Sequence, residues 1–252
     1  TSYPYCDTTT YSSYSWITWN GSTFGVTAGK ENHPMVMVSW YGSVAYANWR
    51  SGMQDKPLCY DLSNWNCNYT AGGYRLPTEA EWEKAARGGT PDHRFPWSDS
   101  DTIQHARANY CSSSSYAYDT SPTRNFHPVW GTGSYPYTSP VGFFDGSLRY
   151  KADFNWPGGA TSYQTANGAN GYGLYDMAGN VWEWCNDWYS DTYYSSSPTN
   201  NPRGPTSGMS RVLRGGSWDF PASQCRVAYR FSLNLSGDRT NGHGFRLALG
   251  SP

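Results

Sequence analysis

The stretch LYDMAGNVWEWCNDWY (174–189) contains a turn followed by the pattern of a strand. Residues 178–180, Ala-Gly-Asn, are small or flexible side chains of the kind that turns favour. Residues 181–184, Val-Trp-Glu-Trp, then alternate between apolar and polar, which is the period of a β-strand. We therefore expect a tight turn that leads directly into a strand.

Two capped helices are predicted upstream of this stretch. In GYRLPTEAEWEKAARGG (73–89), Thr78 is placed to cap a helix, and Glu81 three residues later completes a capping box. In HPMVMVSWYGSVAYANWRSG (33–52), Ser39 precedes apolar residues at helical spacing and is the predicted N-cap.

Short strands are predicted in several other places, whereas residues 90–170 show no period that predicts an element. The predicted strands are a hairpin in WITWNGSTFGVTAG (16–29) that turns at Asn20-Gly21, a short strand at Val36 and Val38, and the segments RVLRGGSW (211–218) and GFRLAL (244–249). These elements indicate an α+β chain with few helices, short strands and long loops, which we interpret as a single domain over 1–252.

The composition limits the possible functions of the 252-residue chain. Aromatic residues make up 17% of it, with 13 Trp and 22 Tyr, so it can bury a substantial core. Its net charge of −1 argues against a nucleic-acid partner, and no apolar run approaches the ~20 residues that span a bilayer. None of the six cysteines lies in a CxxC pair, and a local Cys59–Cys67 disulfide remains open. We expect no transmembrane segment here, although a lipid anchor could belong to a longer form.

Several segments together resemble the formylglycine-generating-enzyme (sulfatase-modifying factor) family. These are 33–50, 73–89, 173–189, RVLRGGSW, CRVAYR (225–230) and GHGFRLAL (242–249), in the order in which that family has them. The resemblance implies a C-type-lectin-like fold, irregular, with a small antiparallel sheet near the C-terminus. Fold alone does not give function, since the family includes oxidases, iron-dependent enzymes and binding proteins.

The residues that the resemblance assigns to catalysis are incomplete. The oxidases of the family bind copper with two cysteines, and Cu(I) requires a pair of soft thiolates. Cys225 falls on the second of these positions, but Phe220 falls on the first and cannot ligate a metal. The five histidines also lack the close spacing of the iron-dependent branch. We therefore predict that the chain binds no copper and is not an enzyme.

The resemblance also implies a structural calcium site in DMAGNVWEW (176–184). Its ligand positions fall on Asp176, Gly179, Val181 and Glu183, which would offer carboxylate and carbonyl oxygens. Hard oxygen donors at irregular spacing suit Ca²⁺. The alternative is a capped turn without metal, in which Glu183 bonds to neighbouring amides.

The segment between the last two predicted strands resembles the variable region of diversity-generating-retroelement variable proteins. Those systems mutate adenines in asparagine-type codons, which do not reach Lys, Glu, Gln, Met or Trp. Between Asp219 and His243 there is no Lys, Glu, Met or Trp, and Gln224 is the single exception. Tyr and Phe with Ser, Asn and Gly are also the residues of adaptable binding surfaces. We therefore expect a ligand-binding variable region over about 218–243.

The residues expected at the surface of this region are, by number, Asp219, Phe220, Ala222, Ser223, Tyr229, Phe231, Ser232, Asn234, Leu235, Asp238, Asn241 and His243. The aromatic residues Phe220, Tyr229 and Phe231 are the predicted anchors, because aromatic residues dominate interface energies. Four arginines, Arg214, Arg226, Arg230 and Arg246, are interpreted as a framework that bonds carboxylates and loop carbonyls.

Three functions follow as hypotheses. The first is a non-enzymatic, hypervariable ligand-binding protein at a bacterial or phage surface, extracellular, whose partner is a protein or another surface molecule. The second is an oxidase of the formylglycine-generating class, or a divergent enzyme that uses Cys225. The third is a carbohydrate-binding, lectin-like domain, in which exposed aromatic rings stack on sugars.

Overall fold

The computed structural model describes residues 4–8, 12–232 and 235–250. These described residues contain four α-helices, of which two are longer than one turn: α1 (Ser12–Ser15), α2 (Trp40–Gly52), α3 (Glu79–Arg87) and α4 (Lys151–Phe154), with a 3₁₀ turn at Tyr193–Ser195. None of the helices in the described part of the chain has the length and apolar character needed to cross a bilayer.

The strands are short and form five small sheets. They are β1 (Ile17–Trp19), β2 (Phe24–Val26), β3 (Tyr60–Asp61), β4 (Asn66–Cys67), β5 (Tyr74–Arg75), β6 (Leu148–Tyr150), β7 (Ser162–Gln164), β8 (Trp182–Trp188), β9 (Arg211–Arg214), β10 (His243–Gly244) and β11 (Ala248–Leu249). Most pairings are antiparallel, as in the hairpins β1–β2, β3–β4 and β6–β7. Few helices, short strands and long loops agree with the predicted α+β class.

The longest strand, β8, is the centre of the only three-stranded sheet among the described residues. It pairs antiparallel with β9 and parallel with β10. One core cluster packs against Trp182 and Trp184 and another against Cys185, so residues 182–187 are all buried, including the polar Glu183. The alternation of apolar and polar residues therefore predicts the strand correctly. It does not mean that the polar side chains face solvent, because both faces of the strand are buried over 182–187.

Both predicted helix starts are confirmed. The Thr78 hydroxyl accepts from the backbone N–H of Glu81, and the Glu81 carboxylate accepts from the N–H of Thr78. The Ser39 hydroxyl accepts from the N–H of Gly42 at the start of α2. At the end of α3, Gly88 adopts a φ of 56°, which glycine tolerates better than residues with a Cβ.

Two strand predictions differ from the structure. The segment GFRLAL (244–249) is not one strand: Gly244 still belongs to β10, which pairs with β8, whereas β11 pairs with β5 at the opposite end of the segment. Val38 makes only an isolated bridge to Cys6. The segment 244–249 is therefore divided between two pairing partners, β8 and β5.

The core is divided into several aromatic clusters rather than one apolar layer. The cluster beneath α2 and β8 includes Trp40, Trp182 and Trp184, all fully buried. A second cluster brings Phe95 and Trp97 against the C-terminal segment. All six cysteines carry free thiols, so the chain holds these clusters together by packing and hydrogen bonds.

Candidate ligand-binding surface

An aromatic cluster lies where the C-terminal segment crosses β8. The ring of Phe231 stacks on Trp182 with centroids 4.7 Å apart and an interplanar angle of 12°. Phe220 meets the same indole edge-on at 5.4 Å, and Tyr229 lies 6.0 Å from it. Trp182 is fully buried, whereas the other three rings are half-buried. The predicted anchors therefore form a partly exposed patch on a fixed indole.

The backbone that carries this patch is irregular. Residues 219–232 and 235–242, the described parts between β9 and β10, contain no helix and no strand. Isolated bridges fix the segment instead, with Phe231 opposite Leu213 of β9 and Pro221 opposite Cys111. The segment is thus attached to the rest of the protein at separate points. Its side chains do not alternate between the two faces of a sheet.

Arg214 holds the segment from below. It is fully buried, and its guanidinium donates to the backbone carbonyls of Tyr229 and Val227 and to the carboxylate of Glu83. Charge-assisted bonds of this kind are stronger than neutral ones. The predicted framework role of Arg214 is confirmed.

Arg230 makes the second ionic attachment. Its guanidinium bonds both oxygens of Glu79 at 2.6 and 2.8 Å and also donates to the carbonyl of Ser190. Glu79 is only 2% exposed. Two arginines, Arg230 of the C-terminal segment and Arg214 of β9, therefore hold the carboxylate of Glu79 in the interior of the protein.

Two residues of the predicted surface are buried, and the expectation that they are exposed is wrong. Ala222 is fully buried because it packs into the cluster of Phe95 and Trp97. His243 is 4% exposed because it belongs to β10 and its ring meets Trp184 edge-on at 5.3 Å. Asn234 lies outside the described residues.

The other predicted positions are at least partly accessible. Asp219 and Leu235 are exposed, and Ser223, Ser232, Asp238 and Asn241 are intermediate. Some of their polar groups support the loop itself, since Asp238 accepts from the N–H of Leu235 at 2.8 Å and the carbonyl of Asn241 accepts from the Trp218 indole. Their role in binding remains a prediction.

Cys225 lies beneath the same segment, in a closed environment. Its side chain is fully buried, and burial raises the pKa of its thiol. A side chain at Gly216 would come within 2.7 Å of its Sγ atom, which shows how closely the GGS turn covers it. Phe220, at the other cysteine position, accepts a hydrogen bond at its carbonyl from the N–H of Cys111. A second thiol is therefore near this position, although it comes from a distant part of the chain.

The histidines do not form a metal centre. His105 and His127 are neighbours, with ring centroids 5.3 Å apart, whereas His93 bonds to the carbonyl of Trp97. Burial lowers the pKa of His105 to about 4. No group of three His, Cys, Asp or Glu side chains suited to a metal occurs within 4–8, 12–232 and 235–250.

Both carboxylates among the predicted calcium ligands already have partners within the protein. Glu183 accepts from Arg246 through both oxygens, at 2.5 and 2.6 Å, and also from the Trp82 indole at 2.6 Å. Asp176 is half-buried and accepts from the N–H of Gly142, and desolvation raises its pKa to about 6. The guanidinium of Arg246 thus supplies positive charge beside Glu183, where Ca²⁺ would supply it. Gly179 and Val181 lie in the same stretch of chain, and calcium binding by these four residues stays a prediction.

A groove that the sequence did not predict borders the variable segment. It has a volume of about 570 Å³ and is lined by Arg230 together with residues of α3 and two exposed tyrosines, Tyr172 and Tyr194. The groove exists because the ion pair of Arg230 with Glu79 places the C-terminal segment beside α3. Such a long-range contact leaves no local signal in the sequence.

Comparison with known families agrees with this architecture. Residues 5–250 match the model of the sulfatase-modifying factor enzyme 1-like domain. The chain belongs to this family. Two curated formylglycine-generating enzymes, from Streptomyces coelicolor and Thermomonospora curvata, are each 36% identical to this family member over 87% of its length. It spans about half of their length, 54% and 56%.

Among solved structures, this member of the family is similar to variable protein 1 of Treponema denticola. The two superpose with a TM-score of 0.62 and 28% sequence identity, over 94% of this chain and 78% of the other. The predicted fold and the resemblance to variable proteins are both confirmed by this similarity.

The same comparisons correct the prediction that the chain is not an enzyme. The curated relatives that align with most of it, at 36% identity, are named as enzymes. Phe220 at one of the two copper positions, and histidines without close spacing, do not outweigh this similarity. The rest of the chain retains the relatives' sequence closely enough to contradict that conclusion.

Proposed function

We propose that this family member binds a ligand through the partly exposed surface of residues 218–243, which differs from one variant of the protein to another. The observation that carries the proposal is the aromatic patch on Trp182. Phe220, Tyr229 and Phe231 are half-buried and rest on a fully buried indole. Aromatic rings held in this way offer contact area at little cost in conformational entropy.

The similarity to a variable protein supports this proposal. Variable protein 1 of Treponema denticola shares the fold over nearly the whole chain. The arginines beneath the segment bond mainly to backbone carbonyls and to distant glutamates. Their hold on the segment therefore depends little on which side chains the segment displays.

The proposed ligand is a protein or another surface molecule outside a bacterial cell. Rings interspersed with Ser, Asn and Asp suit a mixed polar and apolar partner surface. The net charge of −1 offers no general attraction to the phosphates of nucleic acid.

The first test is genetic. The coding segment for 218–243 is sequenced in many isolates and compared with any adjacent template repeat and reverse-transcriptase gene. We expect differences at adenines, concentrated in the codons of the accessible positions. Differences spread evenly over the chain would contradict the proposal.

The second test measures whether the patch accepts new side chains and gains binding. One displayed library varies Phe220, Tyr229 and Phe231, and both libraries are selected against lysozyme as a defined protein probe. The matched control library varies Tyr46, Trp49 and Met53, which are exposed on or next to α2. We expect folded binders from the first library alone. Equal enrichment from both libraries, or loss of folding throughout the first, would refute the proposal.

An oxidase of the formylglycine-generating class is the second candidate, and the names of the curated relatives favour it. Such an activity would require copper held by Cys225 with another thiol. Cys111 is the candidate, because its N–H donates to the carbonyl of Phe220 at the other cysteine position. The test is copper-dependent oxidation of a cysteine peptide, followed by mass spectrometry. Activity that is lost in both Cys225→Ser and Cys111→Ser supports this candidate, and activity retained in both excludes this pair.

A further inference from the structure

Arg211 is a buried cation without a carboxylate partner. It is 8% exposed, and its guanidinium lies 3.8 Å from the ring centre of Trp40 and 3.6 Å from that of Trp188. Its Nη1 donates to the carbonyl of Asn186 at 2.5 Å, while its Nε has no hydrogen-bond partner among the described residues. No ion pair to an Asp or Glu in that part of the chain involves it. A buried charge in this state is costly unless something compensates it.

The nearest acid does not supply that compensation. Asp187 acts on Arg211 electrostatically but makes no ion pair with it, and its Oδ2 accepts from the N–H of Glu79 at 2.8 Å. Burial raises the pKa of Asp187 to about 7, so a large share of this carboxyl is protonated near neutral pH. Asp187 therefore compensates the positive charge of Arg211 only in part.

A pocket of about 270 Å³ opens beside Arg211, and we call it the Arg211 pocket. A second arginine, Arg203, lines it, and the guanidinium of Arg203 lies 4.2 Å from the ring centre of Tyr69. Asn66 and Thr206 add polar side chains at the rim. The lining includes no Asp or Glu of the described residues, and Arg203 makes no ion pair within them.

We propose that the Arg211 pocket binds the oxyanion group of a ligand, a carboxylate, sulfate or phosphate, through the guanidinium groups of Arg203 and Arg211. Guanidinium groups bind such oxyanions with strong, directional, charge-assisted hydrogen bonds. The unpartnered Nε of Arg211 and the absence of a carboxylate in the described lining leave the pocket with a double positive charge. None of the lining residues belongs to 218–243, so this site is separate from the proposed variable surface.

The test is calorimetric titration of the whole chain with sodium sulfate, sodium phosphate and sodium acetate, at an ionic strength held constant with sodium chloride. We expect saturable binding of one anion per chain, and the three salts distinguish tetrahedral from planar oxyanions. Arg203→Gln should weaken binding about tenfold, because it removes one charged donor from an exposed position without disturbing the core. Arg211→Met should abolish binding, provided that its circular dichroism spectrum matches that of the parent.

The matched control is Arg50→Gln. Arg50 is also exposed and also lies against a tyrosine, with its guanidinium 5.9 Å from the ring centre of Tyr74, but it is outside the pocket. Its affinity should equal that of the parent. The proposal is overturned by the absence of saturable binding, by unchanged affinity in Arg203→Gln, or by equal weakening in Arg50→Gln. Each of these results leaves the proposal for residues 218–243 unaffected.

Discussion

Phe231 serves both the fold and the proposed binding surface, because one face of its ring stacks on Trp182 and the rest is partly exposed. Phe231→Ala removes that stacking contact and should lower the free energy of unfolding by about 1–2 kcal/mol, less than for a fully buried ring. Urea denaturation measures the change. Leu235→Ala, at a side chain that is 57% exposed, should change stability by less than about 0.5 kcal/mol. Equal losses in the two variants would mean that the stack on Trp182 does not stabilise the fold.

The pair of Arg246 and Glu183 gives a second prediction at this scale. Arg246→Gln leaves the buried carboxylate of Glu183 without its cation and should cost about 3–5 kcal/mol of stability. Adding Glu183→Gln to that variant should restore part of the loss, since the unpaired charge disappears. A double variant no more stable than Arg246→Gln would contradict this account.

Arg246→Gln also tests whether the arginine or a calcium ion supplies the positive charge beside the carboxylate of Glu183. In the parent, Arg246 occupies both carboxylate oxygens of Glu183, so we expect calcium chloride to leave the melting temperature unchanged. In Arg246→Gln the carboxylate is released, and calcium should raise the melting temperature. Stabilisation of the parent by calcium, reversed by a chelator, would restore the metal site that the resemblance implies.

At the scale of elements, α3 begins with a reciprocal capping box and carries the acids that hold the C-terminal segment. Thr78→Ala removes the acceptor for the N–H of Glu81 and should reduce stability by about 1–2 kcal/mol. Thr78→Ser retains the hydroxyl and should cost much less. If the serine variant loses as much as the alanine variant in urea denaturation, the lost methyl group and not the cap explains the effect.

Local signals predicted the elements that depend on local chemistry. The caps at Thr78 and Ser39 and the hairpin turn at Asn20 were predicted because short-range hydrogen bonds decide them. The burial of Glu79 and His243 could not be predicted in this way. Their surroundings come from partners more than 50 residues away, Arg230 for Glu79 and the indole of Trp184 for His243.

The candidate site shows the same division. The resemblance predicted a variable segment with aromatic anchors, which stays a proposal, whereas the framework role of Arg214 followed from the chemistry of guanidinium groups. Trp182, which supports the anchors, was assigned only to a strand. The Arg211 pocket escaped prediction altogether, since it joins residues 66–69 to residues 203–211. Residues that are far apart in the sequence and meet only in the folded protein form no local sequence pattern from which the pocket could be predicted.

At the scale of the whole molecule, buried histidines and a buried aspartate give opposite pH dependences. Burial lowers the pKa of His33 to about 3 and of His105 to about 4, so each stabilises the fold above its usual pKa of 6.5 and loses that effect as the pH falls. Burial raises the pKa of Asp187 to about 7, so its contribution is complete below 3.8 and is lost as the pH rises through 7. Burial also lowers the pKa of His127, so this histidine likewise contributes stability that is lost as the pH falls.

Between about pH 4 and 6.5 we therefore expect the free energy of unfolding to rise with pH, because the four histidines whose pKa is lowered, His243 among them, outnumber Asp187 and Asp176, whose pKa is raised. Asp187→Asn removes one of the opposing groups and should make this rise steeper by about 1.4 kcal/mol per pH unit. Urea denaturation at several pH values measures the slope. Asp153→Asn, at an exposed carboxylate, is the control, and equal slopes in the two variants would contradict the assignment of Asp187.

The hydrogen bonds from Arg214 to the carbonyls of Val227 and Tyr229 bear on how mutations in this segment are tolerated. A carbonyl oxygen is common to every amino acid, so a codon rewritten at either position still delivers the atom that the guanidinium holds. If the proposed function holds, the accessible side chain of Tyr229 can therefore change while the chain path stays anchored, whereas the buried Val227 is kept by its packing in the core. Variants of the protein would then share one architecture beneath different exposed side chains.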